Sequence, residues 1–301
     1  MRKIVKTIKG RPVVEGAGVH LRRVFGFGET ELFDPFLLLD DFRSDEPELY
    51  RKGFPWHPHR GIETITYMLK GTVEHGDSLK NSGVIRPGEV QWMTAGGGIV
   101  HQEMPKGDGA GSMHGFQLWA NLPASRKMMK PRYRGITAAE IPEVEAEGGA
   151  RIKIICGTVG KTRGPVTDVV IDPEYLDVSV PAGGVFTHPT RPGHTVLAYV
   201  IGGEGVFCGE GDEFSYDAVG ANYFDLARGR SLGNGTLAVY GDGDAVRVTA
   251  GGEGVRFLLI SGKPIRESVA WHGPIVMNTR EELRRAFEDL DNGTFLRYEY
   301  D

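Results

Sequence analysis

Two short segments hold the residue types that bind metal ions. Phe54-Pro-Trp-His57-Pro-His59-Arg-Gly-Ile-Glu63 and Ile99-Val-His101-Gln-Glu103 each place two candidate ligands two residues apart. In an extended strand, residues i and i+2 point to the same face, so each pair aims at one spot. Two such strands side by side would deliver His57, His59, His101 and Glu103 to a single point. Three imidazoles and a carboxylate make a mononuclear site with positions left open for a substrate. An isolated H-x-H is a weak signal, and so is an isolated H-x-E. Together, in strand context, they are hard to explain without a metal, because two buried pairs would leave polar atoms needing partners. Glu63 is a second candidate, as a ligand in place of Glu103 or as a residue orienting a histidine.

The elements around these residues read as strands. His57, His59, Glu63, Ile65, Tyr67 and Leu69 are all odd-numbered. On one unbroken strand the two histidines would share the apolar, inward face. Pro58 cannot donate to a ladder and suggests an edge position near a cavity mouth. Thr94-Ala-Gly96-Gly97-Gly98 permits the turn before the second pair. His101 and Glu103 then lie on one side, with Val100, Gln102 and Met104 on the other, and Arg86-Pro87-Gly88-Glu89 reads as the tight turn opening that hairpin. His75, His114, His188, His194 and His272 read as ordinary hydrogen-bonded histidines.

The whole chain has the same character. It carries 44 glycines and 17 prolines in 301 residues, dispersed between short apolar-alternating runs. That distribution implies many tight turns joining short strands, an all-β chain of the barrel or sandwich kind. Strand candidates include Glu63–Leu69, Val90–Met93, His114–Ala120, Arg151–Cys156, Tyr175–Val180, Thr195–Ile201, Leu237–Tyr240 and Gly254–Ile260. One helix is expected near the end, capped by Asn278 or Thr279, with Leu283, Ala286, Phe287 and Leu290 as its apolar stripe. A shorter helical piece is expected near Pro123–Met129.

The formal net charge of −5 gives no reason to expect a nucleic acid as partner. No apolar run approaches the roughly 20 residues a membrane helix needs, and the basic N-terminus lacks a signal peptide's apolar core. With only Cys156 and Cys208, a disulfide framework is not expected and a reducing cytoplasm fits best.

The two halves resemble each other. Thr64-Ile-Thr-Tyr67-Met-Leu-Lys-Gly71 aligns without gaps with Val196-Leu-Ala-Tyr199-Val-Ile-Gly-Gly203, at an offset of 132 residues. His57 then falls on Pro189, His59 on Arg191 and Glu63 on Thr195, so the second copy should lose every ligand. The expected division is an N-terminal metal-bearing barrel over 1–135, a link over 136–150, and a metal-free barrel over 151–301 ending in the helix. A monomer is expected, since such a chain already contains two barrels.

The segments Gly53-Phe-Pro-Trp-His-Pro-His-Arg-Gly-Ile-Glu-Thr64, Pro87-Gly-Glu-Val-Gln-Trp-Met-Thr-Ala-Gly96, His101-Gln-Glu-Met-Pro105 and His272-Gly-Pro-Ile-Val-Met-Asn278 resemble the pirin family of the cupin superfamily. The resemblance spans nearly the whole chain. It implies a bicupin, two jelly-roll barrels with a short C-terminal helix and one metal in the N-terminal barrel. It implies that the metal is held by His57, His59, His101 and Glu103, with Glu63 outside the ligand set. Iron(II) is the metal it implies. The ligand types alone leave nickel, manganese, copper and zinc open. Gly97 departs from the family, where many relatives carry arginine, and Trp56 and Trp271 are also variable positions.

The resemblance implies a quercetin 2,3-dioxygenase-like activity on a flavonol and dioxygen. Glu103 or Glu63 would accept the substrate proton, and Phe54, Trp56 and Trp92, with Trp119, would form an aromatic wall. The alternative is a metal-binding regulator that acts through a transcription factor or metabolic enzyme without turnover. An isomerase on the same scaffold would need basic residues near the metal, and Gly97 removes one such position.

Overall fold

The computed structural model describes residues 1–208, 217–219 and 230–297. By contacts it divides into two compact units. One comprises Pro12–Ala138 with Ile265–Asp301, and the other comprises Met1–Arg11 with Ala139–Pro264. Among the described residues no helix is long and apolar enough to cross a membrane.

The first unit contains the histidine segments and is built from two sheets. A four-stranded sheet runs in the order Phe54–His59, Ile99–Pro105, Val73–Asp77, Ser82–Ile85. A seven-stranded sheet runs Arg132–Ile136, Val90–Thr94, Ile62–Lys70, Met113–Asn121, Phe36–Ser44, Val19–Phe25, Arg11–Glu15. Val73 and Ile85 of the smaller sheet form one buried cluster with Val19, Leu21, Phe42, Met68 and Met113 of the larger. Burying those apolar faces against each other is what holds two sheets together. Burial along Ile99–Pro105 alternates strictly, with Ile99, His101, Glu103 and Pro105 inward. The pair His101 and Glu103 therefore has the parity expected of it.

The first pair does not continue into Glu63 as one strand. The strand Phe54–His59 ends at His59, and a new one begins at Ile62 in the other sheet. Between them Gly61 adopts φ +79°, and a Cβ there would lie 1.9 Å from Val276 O. This break resets the alternation. On Ile62–Lys70 it is Met68 that joins the inter-sheet cluster and Thr66 that reaches the cavity, not the odd residues. Likewise Glu89 N donates to Arg86 O at 2.9 Å, but this turn joins strands of different sheets and opens no hairpin.

In the second unit, the 18-residue strand Ala245–Gly262 pairs with Glu174–Val180, Thr195–Val206 and Val185–Pro189. Its core repeats every second residue, as in Leu176, Val178, Val180 and in Val196, Ala198, Val200. The repeat is visible in the backbone. Gly71 and Gly203 have φ of +72° and +64°, and Gly61 and Gly193 have +79° and +75°, each pair separated by the same 132 residues.

The chain ends sit differently from the expected division. Ile4–Lys9 pairs antiparallel with Thr236–Tyr240 in the second unit, which satisfies its ladder and buries Ile4 and Ile8. The helix Arg280–Asp291 does not finish that unit. Its stripe of Leu283, Ala286, Phe287 and Leu290 packs with Ile275, Met277 and Phe295 in the first. The helix itself forms as expected, with a capping box between Thr279 and Glu282. The stretch expected as a link is partly paired, since Glu143–Glu145 forms a ladder with Arg151–Cys156.

The break at Gly61 is testable against Gly183, which has φ +67° but no atom within 4 Å of its absent side chain. Gly183→Ala should cost about 1 kcal/mol of backbone strain. Gly61→Ala adds a collision with backbone and should lower the thermal unfolding midpoint by clearly more. Equal midpoints for the two variants would refute the close approach of Val276.

Candidate metal centre

The three histidines meet because their strands pair in one register. His101 lies opposite His57 and Ile99 opposite His59, antiparallel. One nitrogen from each of His57, His59 and His101 lies within 4.8 Å of the others. Their ring centroids are 4.9, 4.4 and 5.0 Å apart. His59 and His101 are buried, while His57 is half-buried toward a cavity.

Backbone carbonyls set two of the tautomers. His57 Nδ1 lies 2.8 Å from Pro55 O, and His59 Nδ1 lies 3.0 Å from Pro274 O. A carbonyl only accepts, so each Nδ1 carries the hydrogen and each Nε2 keeps a lone pair for a metal. His101 differs: both its ring nitrogens are buried, and among the described residues neither has a hydrogen-bond partner. An imidazole at 0% exposure with neither nitrogen satisfied is expensive unless a cation takes the lone pair. Burial also holds all three uncharged. It pushes His59 down to about 3, with repulsion from His57 adding to it, and takes His101 well below the usual histidine value. Neutral imidazole is the form that ligates.

Glu103 is on the same face as His101 but stands outside the group of three. A register shift after His101 places it opposite Phe54. Its Oε1 accepts a hydrogen bond from Thr66 Oγ1 at 2.9 Å, and burial pushes its carboxyl up to about 7. Thr66 Oγ1 is also 2.6 Å from Gln117 Oε1, and with one hydroxyl hydrogen it can serve only one of them at a time.

A cavity of about 590 Å³ opens beside the histidines. Phe54, Trp56, Trp119 and Trp271 line it together with His57, His59 and Glu103, and Leu21, Phe42 and Met113 complete its apolar surface. Trp119 stands edge-on to His59 with centroids 5.0 Å apart. Arg23 also lines it, forking Asp40 at 2.9 and 2.8 Å, and burial raises Asp40 to about 6 despite that partner.

Two expected site residues lie elsewhere. Glu63 is buried off the cavity wall, where Oε1 accepts from Thr94 Oγ1 at 2.6 Å. Trp92 is 1% exposed and absent from that wall as well. Both follow from the parity reset at Gly61, since Trp92 pairs across from Ile65 on the face that turns away from the cavity. His75 is a hydrogen-bonded histidine, as expected, and stands beside the group of three without joining it. It stacks on Tyr133 at 5.0 Å, lies 5.6 Å from His101, and its Nε2 is 3.4 Å from Asp77 Oδ2. Asp77 follows His75 at i+2, and in the neighbouring ladder Asp77 lies opposite His101 and His75 opposite Glu103.

The depressed histidines predict how the metal-free protein responds to acid. Unfolded histidine titrates near 6.5, whereas His59 titrates at about 3 in the folded state. Between those values the unfolded chain binds a proton that the folded chain does not. Stability is therefore full above the unfolded value and falls as pH drops below it, by about 2 kcal/mol at pH 5 for His59 alone. Urea unfolding of chelated protein at pH 7 and pH 5 measures this, and the pH 7 to pH 5 loss should shrink in His59→Asn. An unchanged loss in that variant would show that His59 is not the responsible group.

The residues from 18 to 120 match the Pirin domain family, and those from 175 to 296 match the Pirin C-terminal cupin domain. A pirin-like protein of Caulobacter vibrioides is 44% identical over 296 residues, covering 98% of this chain and 99% of that one. A quercetin 2,3-dioxygenase structure from Acinetobacter baumannii is 30% identical with a TM-score of 0.84, covering 99% of this chain and 100% of that one. The Escherichia coli bacterial pirin YhhW in complex with nickel(II) shares the fold at 21% identity, with a TM-score of 0.63 over 88% of this chain and 100% of that one. By identity, coverage and fold alike, the chain belongs to the pirin family.

Proposed function

We propose that this chain is a metal-dependent dioxygenase that opens flavonol-like phenolic rings, in the manner of a quercetin 2,3-dioxygenase. The observation that carries this reading is the cluster of three histidines, two of which, His57 and His59, open onto an aromatic-lined cavity of about 590 Å³. Its likeness to the Acinetobacter baumannii structure named for that activity supports it. His57, His59 and His101 would hold one divalent ion, with Glu103 as the carboxylate ligand. The unsatisfied nitrogens of His101 fit such an ion. Iron(II) is our assignment, and the nickel(II) complex of the bacterial pirin supports a divalent ion of the same kind.

When bound, the metal supplies a Lewis acid for the flavonol hydroxyl and a centre for the reaction with dioxygen. The protein's own groups do the rest. Glu103 lies on the cavity wall beside the histidines, where its carboxylate is placed to accept the hydroxyl proton. Thr66 holds one of its oxygens in place. Phe54, Trp56 and Trp119 offer flat apolar surfaces to a planar ring and exclude water from it. Dioxygen adds across the central ring, which opens with loss of carbon monoxide. Neither Cys156 nor Cys208 is in a disulfide, which fits a protein of the reducing cytoplasm.

The direct test incubates iron-loaded protein with quercetin, following loss of flavonol absorption and release of carbon monoxide. About one metal per chain is expected, with binding abolished in His57→Ala and in His101→Ala. Glu103→Gln should lower kcat by roughly 10²- to 10⁴-fold if it accepts the proton. Absence of turnover with iron, nickel, manganese, copper or zinc, in protein holding one metal per chain, would overturn the assignment.

A further inference from the structure

The C-terminal segment runs beside the point where the histidine strand ends. Ile275 bridges Arg60, and Val276 N donates to Arg60 O at 3.1 Å. Lys127 Nζ donates to both Gly61 O and Val276 O, at 2.9 and 3.0 Å. Gly61 has no side chain to keep the two stretches apart. One residue before Ile275, Pro274 offers its carbonyl to His59 Nδ1. A group 215 residues away in sequence thus chooses which nitrogen of His59 carries the hydrogen.

Arg60, next to His59, ties this segment down. Its guanidinium is buried, and Nε donates to Gly97 O at 2.8 Å, Nη1 to Asp289 Oδ2 at 2.7 Å and Nη2 to Phe295 O at 2.7 Å. It also lies over the Phe295 ring, 4.3 Å from the centroid. Asp289 is carried on the buried face of the C-terminal helix with Ala286. Only a planar fork reaches three acceptors in fixed directions, and lysine cannot replace it.

We propose that Arg60, Asp289 and Phe295 form a positioning lock for the metal centre. The lock keeps the Pro274 carbonyl on His59 Nδ1, holds His59 in the Nδ1–H tautomer with Nε2 free to ligate, and thereby sets metal affinity. The role rests on reading the three histidines as metal ligands. A neutral imidazole otherwise exchanges between two tautomers, and the wrong one places a hydrogen where the metal must sit. His57 provides an internal control, because its Nδ1 partner is Pro55 on its own strand. Loosening the lock should disturb His59 and spare His57.

The test uses the full chain labelled with ¹⁵N-histidine. Long-range ¹⁵N–¹H spectra of metal-free protein read each tautomer, and cobalt(II) competition against a chelator reads affinity. In the unmodified protein His59 should be wholly Nδ1–H. Asp289→Ala should give a tautomer mixture at His59, leave His57 unchanged and weaken cobalt(II) binding 10- to 100-fold. Asp289→Asn keeps an acceptor oxygen for Nη1 and should recover most of both. Pro274→Gly loosens the carbonyl without touching the ion pair, and should reproduce the His59 change even if Asp289→Ala fails to fold. Unchanged tautomer and affinity in a folded Asp289→Ala or Pro274→Gly protein would overturn the lock. An unmodified protein that binds no cobalt(II) would overturn the metal reading, and this role with it, whatever the tautomer does.

Discussion

The site depends on one strand register, the pairing that sets His101 opposite His57 and Ile99 opposite His59. A slip of one residue would turn Val100 and Gln102 inward and both ligand-type side chains of that strand outward. The register also forces three imidazoles into contact where water is scarce. His59 and His101 must then stay uncharged, because burial denies an imidazolium its solvent and the neighbouring rings repel it. Unprotonated and crowded, the three nitrogens present lone pairs to one point. Register, burial and ligand form are thus one fact seen at three levels.

The second constraint is the crossing at Arg60 and Gly61, where the chain leaves one sheet and enters the other. Gly61 permits the backbone to pass against Val276, and Arg60 fills the space behind with a buried cation. A buried guanidinium is tolerable only when its donors are all met, and its acceptors come from three separate stretches of chain: Gly97, Asp289 and Phe295. The same crossing fixes which face of Ile62–Lys70 sees the cavity, and so brings Thr66 rather than Glu63 to it.

The legible parts of this design were the local ones. The i, i+2 spacing of His57 with His59 and of His101 with Glu103 is a property of a single strand, and the structure keeps both alternations. The helix cap at Thr279 is equally local. The inward parity assigned to Glu63 failed because it was carried through Gly61, whose positive φ ends one strand and starts another. Trp92 failed with it. The bond between Arg60 and Asp289 spans 229 residues and leaves no spacing signature, so neither the place of the C-terminal helix nor the partner of His59 could be read ahead of the fold.

The repeat shows which features a duplicated unit retains. Positions that serve the backbone persist: Gly61 with Gly193, and Gly71 with Gly203, keep left-handed conformations. Positions that serve chemistry do not, since Pro189 and Arg191 stand where His57 and His59 stand. Proline has no side-chain donor, and a permanently protonated guanidinium cannot ligate a cation. The second unit does keep a buried histidine, His188, but its Nε2 pairs with Glu174 Oε2 at 3.0 Å. That contrast separates a structural histidine from a candidate ligand. His188 has found a carboxylate partner, whereas His101 is more deeply buried and has a partner at neither nitrogen. Among the described residues the one group of three side chains placed to hold a metal ion lies in the first unit, and its most buried member, His101, is the one whose nitrogens are both unmatched.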